Sequence, residues 1–249
     1  IIPLSALVAG IFGALLGAPT LKLRGDYLAI VTLGFGEIIR IFMNNLNGPV
    51  NITNGPQGIN LIDPVRIGGV SLAGEAGSGG VVYLAGGSMP SVNAYYYLLL
   101  LLCILTAFIS QRLQHSRLGR AWIAIREDEI AAKAMGIHVR NVKLLAFAMG
   151  AAFGGVAGVM FGAFQGFISP ESFTLTESIA VLAMVVLGGI GHIPGVVLGA
   201  VLLAALPEVL RHTVEPMQMA LLGEVWIEAE VLRQLLYGLA LVLIMLMRP

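Results

Sequence analysis

Between Gly119 and Lys143 the chain reads GRAWIAIREDEIAAKAMGIHVRNVK, eight charged side chains in 25 positions, against 14 basic and 14 acidic residues in all 249. Their order is that of a short helix with marked ends. Asp128 suits the N-cap, where a carboxylate accepts from free backbone N–H groups. Gly136 suits the position past the C-terminus, where a left-handed backbone is needed. Glu129 and Lys133 stand four apart in the favourable order. Ile123, Ile130 and Ala134 fall in phase on one face, while Arg126, Glu127 and Lys133 can point to water. The chemistry on offer is recognition by an amphipathic helix. Three readings of it stand: a solvated loop helix, an interfacial helix lying on lipid, or a docking helix for a cytoplasmic subunit. Mixed-sign charge weighs against adsorption to lipid, which favours a Lys/Arg face.

Other reactive groups are sparse. None of the three lysines, Lys22, Lys133 and Lys143, follows a glycine, so G-x-x-x-x-G-K-[ST] is absent and no phosphate-cradling loop of that type is expected. Cys103 is the single cysteine, and His115, His138, His192 and His212 lack metal-ligand spacing. No cofactor, metal or catalytic group is expected. A transporter driven by an ion gradient usually carries a carboxylate within the membrane, and the candidates are Glu37, Glu177 and Glu208. Glu37 stands three residues before Arg40, so the two can simply neutralise each other. Gly34 and Gly36 beside them weaken a helix locally. Backbone groups opened there, with Glu37 and Arg40, can instead meet the two charged ends of a small zwitterion.

The elements that must position these residues belong to a membrane. The sequence is 57% hydrophobic and 11% charged, with mean hydropathy +0.90, and charge at that level is about half that of soluble domains. Zero net charge gives no electrostatic case for nucleic acid. The pattern predicts an all-α, polytopic transmembrane helix bundle with about seven spans, near 1–19, 27–43, 94–111, 144–168, 177–193, 195–211 and 232–248, within one permease-like domain over 1–249. Opening on Ile-Ile-Pro inside a hydrophobic run, the chain reads as a fragment without its N-terminal spans. Seven of the 14 basic residues fall between the third and fourth spans, with Lys22 and Arg24 between the first two. The bias of Lys and Arg toward the cytoplasm makes 112–143 a cytoplasmic loop and 44–93 an extracytoplasmic one. LGGIGHIPG, 187–195, can be a tight turn or a kink. Gly150, Gly154, Gly158, Gly162 and Gly166 recur every four residues, as where helices approach closely in lipid; Gly13 and Gly17, and Gly191, Gly195 and Gly199, echo them.

GRAWIAIREDEIAAKAMGI resembles the cytoplasmic loop of the LivM-type permease subunits of branched-chain amino acid ABC importers. LKLRGDYLAIVTLGFGEIIR (21–40), NGPQGIN (54–60), QGFISPESF (165–173), VLGGIGHIPGVVLGA (186–200) and the terminal LYGLALVLIMLMRP are similar to that family as well. The resemblance implies a bacterial inner-membrane subunit that carries leucine, isoleucine or valine. Its implied partners are a homologous H-type permease, two cytoplasmic ATPase subunits, a periplasmic binding protein and membrane lipid, with no nucleic acid. It also implies that Arg120, Arg126, Asp128, Glu129, Ile130, Ala131, Ala132, Ala134 and Gly136 form the ATPase-docking segment. Importers of this class often carry E-A-A-x-x-x-G there; here Ile130-Ala131-Ala132 precede Gly136 and the carboxylate comes one place early, at Glu129. A urea or amide permease of the same superfamily, and a gradient-driven transporter acting alone, are the alternatives.

Overall fold

The computed structural model describes residues 2–21, 26–48, 51, 53–67, 70–73, 81–84, 87–189, 191–222, 231–232, 234–236, 238–239 and 242. The chain divides into two units, 1–172 and 173–249. It is an all-α, multi-pass membrane protein. Among the described residues, five helices are long and apolar enough to cross a bilayer, each spanning the roughly 20 residues that the hydrocarbon core demands.

In the first unit α1 (Ile2–Thr20) and α2 (Asp26–Asn44) precede an irregular segment. That segment holds a 3-10 turn at Gly55–Gln57 and short strands β1 (Ile59–Asn60), β2 (Arg66–Ile67), β3 (Val70–Ser71), β4 (Val81–Leu84) and β5 (Gly87–Pro90). Then follow α3 (Ser91–Gln114), α4 (Arg117–Glu127), α5 (Glu129–Ala134) and α6 (Val139–Gln165). Strand β6 (Phe167–Ile168) and a 3-10 turn at Pro170–Ser172 close the unit. The antiparallel pairs are β1 with β6, β2 with β3, and β4 with β5.

The most extensive helix contact in this unit joins α1 to α6, antiparallel. A Cβ on Gly155 would stand 2.7 Å from the Ser5 carbonyl oxygen, one on Gly13 2.9 Å from that of Phe147, and one on Gly10 3.2 Å from that of Ala148. Small residues here let two backbones touch where lipid supplies no hydrophobic drive. Gly13 and Gly17 take part as their spacing suggests, but the ladder on α6 does not. Gly150, Gly154 and Gly158 have open space where a Cβ would be, Gly162 packs on Ile168 and Ile62, and Gly166 is the left-handed C-cap, with φ 67°. One residue along a helix is a turn of about 100°, so α1 seats on the face of Gly155, beside the ladder.

Few side chains are buried, because most of each helix faces outward. One core cluster, Leu72, Tyr95 and Met160, pins the irregular segment to the helices. The Tyr95 hydroxyl donates to the Ala163 carbonyl at 3.0 Å and accepts from Val65 N–H at 3.3 Å. Pairing of Ile59 with Ile168 brings NGPQGIN onto QGFISPESF. Gly58, at φ 68°, is required there, since any Cβ would meet the Ile168 backbone. The unit thus has two ends. The end of α2, residues 53–60, the start of α3 and 165–172 share one; the end of α1 and 114–143 share the other.

In the second unit α7 (Leu175–Gly188) and α8 (Ile193–Leu222) pack together. The glycine-rich stretch between them is a turn joining two helices, with Gly189 at φ 91° and Gly191 at φ 93°. Gly188 and Gly199 face the partner backbone directly; a Cβ on Gly199 would stand 2.6 Å from the Met184 carbonyl oxygen. Six of the expected spans coincide with helices, and five of these are long and apolar enough to cross a bilayer; α2, at the expected span 27–43, is not among them. Of the seventh, 232–248, only 232, 234–236, 238–239 and 242 are described, all helical. Lys22 and Arg24 lie outside the described residues.

Candidate functional site

The charged loop is two helices rather than one. Ser116 caps α4, its hydroxyl oxygen accepting from Gly119 N–H at 3.2 Å. The extended backbone of Asp128, φ −152°, ends α4 while its N–H still donates to the Ala124 carbonyl. The Asp128 carboxylate then opens α5, accepting from Ile130 N–H at 2.7 Å and Ala131 N–H at 3.0 Å. At the far end Gly136, φ 84°, donates to Lys133 O while Ile137 N–H reaches back to Ala132 O, both at 3.1 Å. That pair of bonds is the Schellman closure. Asp128 and Gly136 therefore do what their positions suggest.

Three anchors hold this loop to the membrane helices. Trp122 Nε1 donates to the Val142 carbonyl at 2.8 Å, fixing α4 on the first turn of α6. Arg120 Nη1 donates to the His115 carbonyl at 2.9 Å. Lys143 Nζ lies 2.7 Å from the Glu129 carboxylate, tying α5 to α6. That last pair, 14 residues apart, was not foreseen, since local spacing offered only Lys133 to Glu129.

What α5 presents is apolar. Ala132 is buried, at 4% exposure, and forms the inward side; Ile130 and Met135 are 77% and 83% exposed, with Ala131 and Ala134 exposed beside them. Ile123 lies on α4 beyond the break at Asp128, so it does not continue that face in phase. Arg126, Glu127 and Lys133 are exposed, as their pattern suggests. The result is a six-residue helix capped at both ends, tied to α6 through Glu129 and Lys143, with its aliphatic side chains exposed.

A second cluster sits at the opposite end of this unit. Arg40 pairs with Glu37 at 2.5 Å, as their spacing allows, and also with Glu171 at 2.7 Å. Asn44 Nδ2 donates to the other Glu171 oxygen at 2.6 Å, and Asn44 Oδ1 is buried with no hydrogen-bond partner. Glu171, in QGFISPESF, escaped sequence reasoning because it lies 131 residues from Arg40. Gly34 and Gly36 meet nothing where a Cβ would stand. Gly36 helps line an apolar groove of about 580 Å³ among α1, α2 and α6, with Phe35, Leu16, Phe147 and Gly150. Glu37 and Gly36 share a helix, but Glu37 does not line that groove. Glu208 pairs with His212 at 3.3 Å along α8, and Glu177 lies exposed in the first turn of α7.

Residues 1–245 match the family described as the branched-chain amino acid transport system / permease component. The high-affinity branched-chain amino acid transport system permease protein LivM of Escherichia coli is 47% identical over 216 residues, 84% of this chain and 50% of that one. Its Salmonella typhimurium counterpart is 48% identical over the same shares. The permease protein LivH of Escherichia coli is 39% identical over 116 residues, 47% of this chain and 37% of that one. The chain spans about half the length of the LivM relatives it matches. No solved structure matches.

Proposed function

The chain belongs to the family of branched-chain amino acid transport permease components, and from that premise we propose that it is the membrane-spanning part of an ATP-driven importer of leucine, isoleucine and valine in a bacterial inner membrane. ATP is hydrolysed on two separate cytoplasmic subunits. A homologous H-type permease completes the membrane pathway, and a periplasmic binding protein delivers substrate to its outer side. On this reading 112–143 is cytoplasmic, 44–93 is outside, and Glu37 with Arg40 stands near the outer mouth.

The observation that carries the reading is the bare apolar face of α5, Ile130, Ala134 and Met135, held rigidly at the end of the unit where basic residues gather. This face seats in a groove of the ATPase, and the exposed Arg126 sets its orientation from the rim; Asp128 and Glu129 are spent within the permease, on the α5 cap and on Lys143. Burial of an aliphatic anchor at the centre of an interface outweighs an exposed ion pair, worth about 0–1 kcal/mol. Ala134→Arg puts a charge into that groove. Permease should stay in the membrane while ATPase is lost on co-purification and leucine uptake stops; Glu127→Ala, facing water, should be silent in both assays. Full ATPase retention by Ala134→Arg would remove docking through this face. Competition of labelled leucine uptake by urea separates the amino acid reading from an amide permease.

A further inference from the structure

Beside α5, on the side away from its bare face, lies a cavity of about 710 Å³ that docking leaves unexplained. Its walls come from three places in the chain. Ala18 and Leu21, at the end of α1, give an apolar floor; Lys133 and Glu129 of α5 form one wall, and Arg140 and Lys143 of α6 another. Lys143 is committed to Glu129 at 2.7 Å. Lys133 and Arg140 carry no ion pair among the described residues, so the described walls of the cavity set two cations without a described counter-charge beside aliphatic carbon. The first turn of α6 adds to this. No side chain caps it, since His138 makes no cap hydrogen bond, and a 27-residue helix presents partial positive charge there.

We propose that this cavity binds the phosphate of an anionic phospholipid headgroup. Charge complementarity selects the phosphate: Lys133, Arg140 and the start of α6 all line the space, and the single carboxylate in its described wall is paired with Lys143. The apolar floor selects a lipid over a free anion. Ala18 and Leu21 end a membrane-spanning helix, so the cavity opens at the depth where a headgroup meets its glycerol and acyl chains. Basic pockets at that level, on the side to which Lys and Arg are drawn, recognise acidic lipids in this way. The bound lipid would wedge between α1 and the α5–α6 corner and steady the docking helix from behind.

Native mass spectrometry of the purified full chain, exchanged into detergent with equimolar phosphatidylglycerol and phosphatidylcholine, tests the site. The wild-type chain should retain one phosphatidylglycerol in preference to phosphatidylcholine. Lys133→Gln and Arg140→Gln should each weaken that retention about fivefold, the effect of one cation at a lipid surface. Both positions are exposed, so the fold should survive. Arg117→Gln, a basic residue in the same loop but outside the cavity, should retain lipid like the wild type. Equal retention of the two lipids by the wild type would overturn the proposal without reference to any variant. So would undiminished retention in the Lys133→Gln, Arg140→Gln double variant, or displacement of the lipid by an equal concentration of glycerol phosphate, which the apolar floor forbids.

Discussion

At the scale of single residues, the Arg40 cluster shows how an arginine is shared. Arg40 faces Glu37 on its own helix and Glu171 from the loop after α6, with Asn44 holding the second Glu171 oxygen. Two carboxylates on one guanidinium leave a net negative charge, so the members are unequal. Removing Glu171 leaves Arg40 paired to Glu37. Removing Arg40 leaves two carboxylates facing each other without a counterion, and the like charges repel. Arg40→Gln should therefore lower the thermal unfolding midpoint of the detergent-solubilised chain more than Glu171→Gln does, and added salt should narrow the gap by screening the repulsion. A larger loss from Glu171→Gln would mean that Glu171 works through Asn44 and the loop rather than through the arginine. If Glu37 and Arg40 meet substrate, both variants should also raise the leucine concentration for half-maximal uptake.

At the scale of elements, α5 exists because of its ends. Six residues form too short a helix to stand alone, so the caps decide whether it forms. Asp128→Ala leaves two N–H groups without their acceptor, at a cost of about 0.5–2 kcal/mol. Gly136→Val forces a branched residue into the left-handed region, at a cost of about 1–2 kcal/mol. Either should speed amide hydrogen exchange across 129–135 while leaving α6 protected, and should weaken ATPase retention without touching the apolar face. These features were legible in advance because capping is local: Asp, then Gly eight residues on, is readable in any context. The break at Asp128 follows from the same cap, since an N-cap residue takes an extended backbone and so ends any helix running into it. Packing faces were less legible. Glycines at intervals of four mark a stripe on α6 but do not say what lies against it, and α1 chose the neighbouring stripe through Gly155. Gly155→Leu should accordingly cost the chain at least about 1–3 kcal/mol through overpacking, whereas Gly158→Leu should leave its own unfolding midpoint unchanged. A matching loss in Gly158→Leu would place a segment of this chain on the ladder.

At the scale of the whole molecule, the question is which end of the first unit meets the cytoplasm. Apolar runs identified the helices, because a bilayer asks for length and hydropathy before anything else; the pairing of 59–60 with 167–168 was invisible, since no local pattern joins segments more than a hundred residues apart. Yet that pairing makes the topology coherent. It places 53–60 beside 165–172 at one end, while Trp122 to Val142 and Glu129 to Lys143 gather 114–143 at the other. A single orientation therefore fixes both described ends of this unit at once, and the excess of Lys and Arg in 112–143 is what supports the proposal that this end is the cytoplasmic one. Single cysteines at two exposed positions test it, in a background where Cys103 is replaced by Ala. Asn60→Cys should react with an impermeant maleimide in intact cells once the outer membrane is made permeable. Glu127→Cys should react only after the inner membrane is opened. Both positions avoid the helix contacts, so neither substitution should disturb folding. The reverse pattern would turn the unit over and set α5 outside, beyond the reach of any cytoplasmic ATPase. Labelling of both cysteines in intact cells would break the link between the two ends, and with it the placing of 53–60 and 114–143 on opposite sides of the membrane.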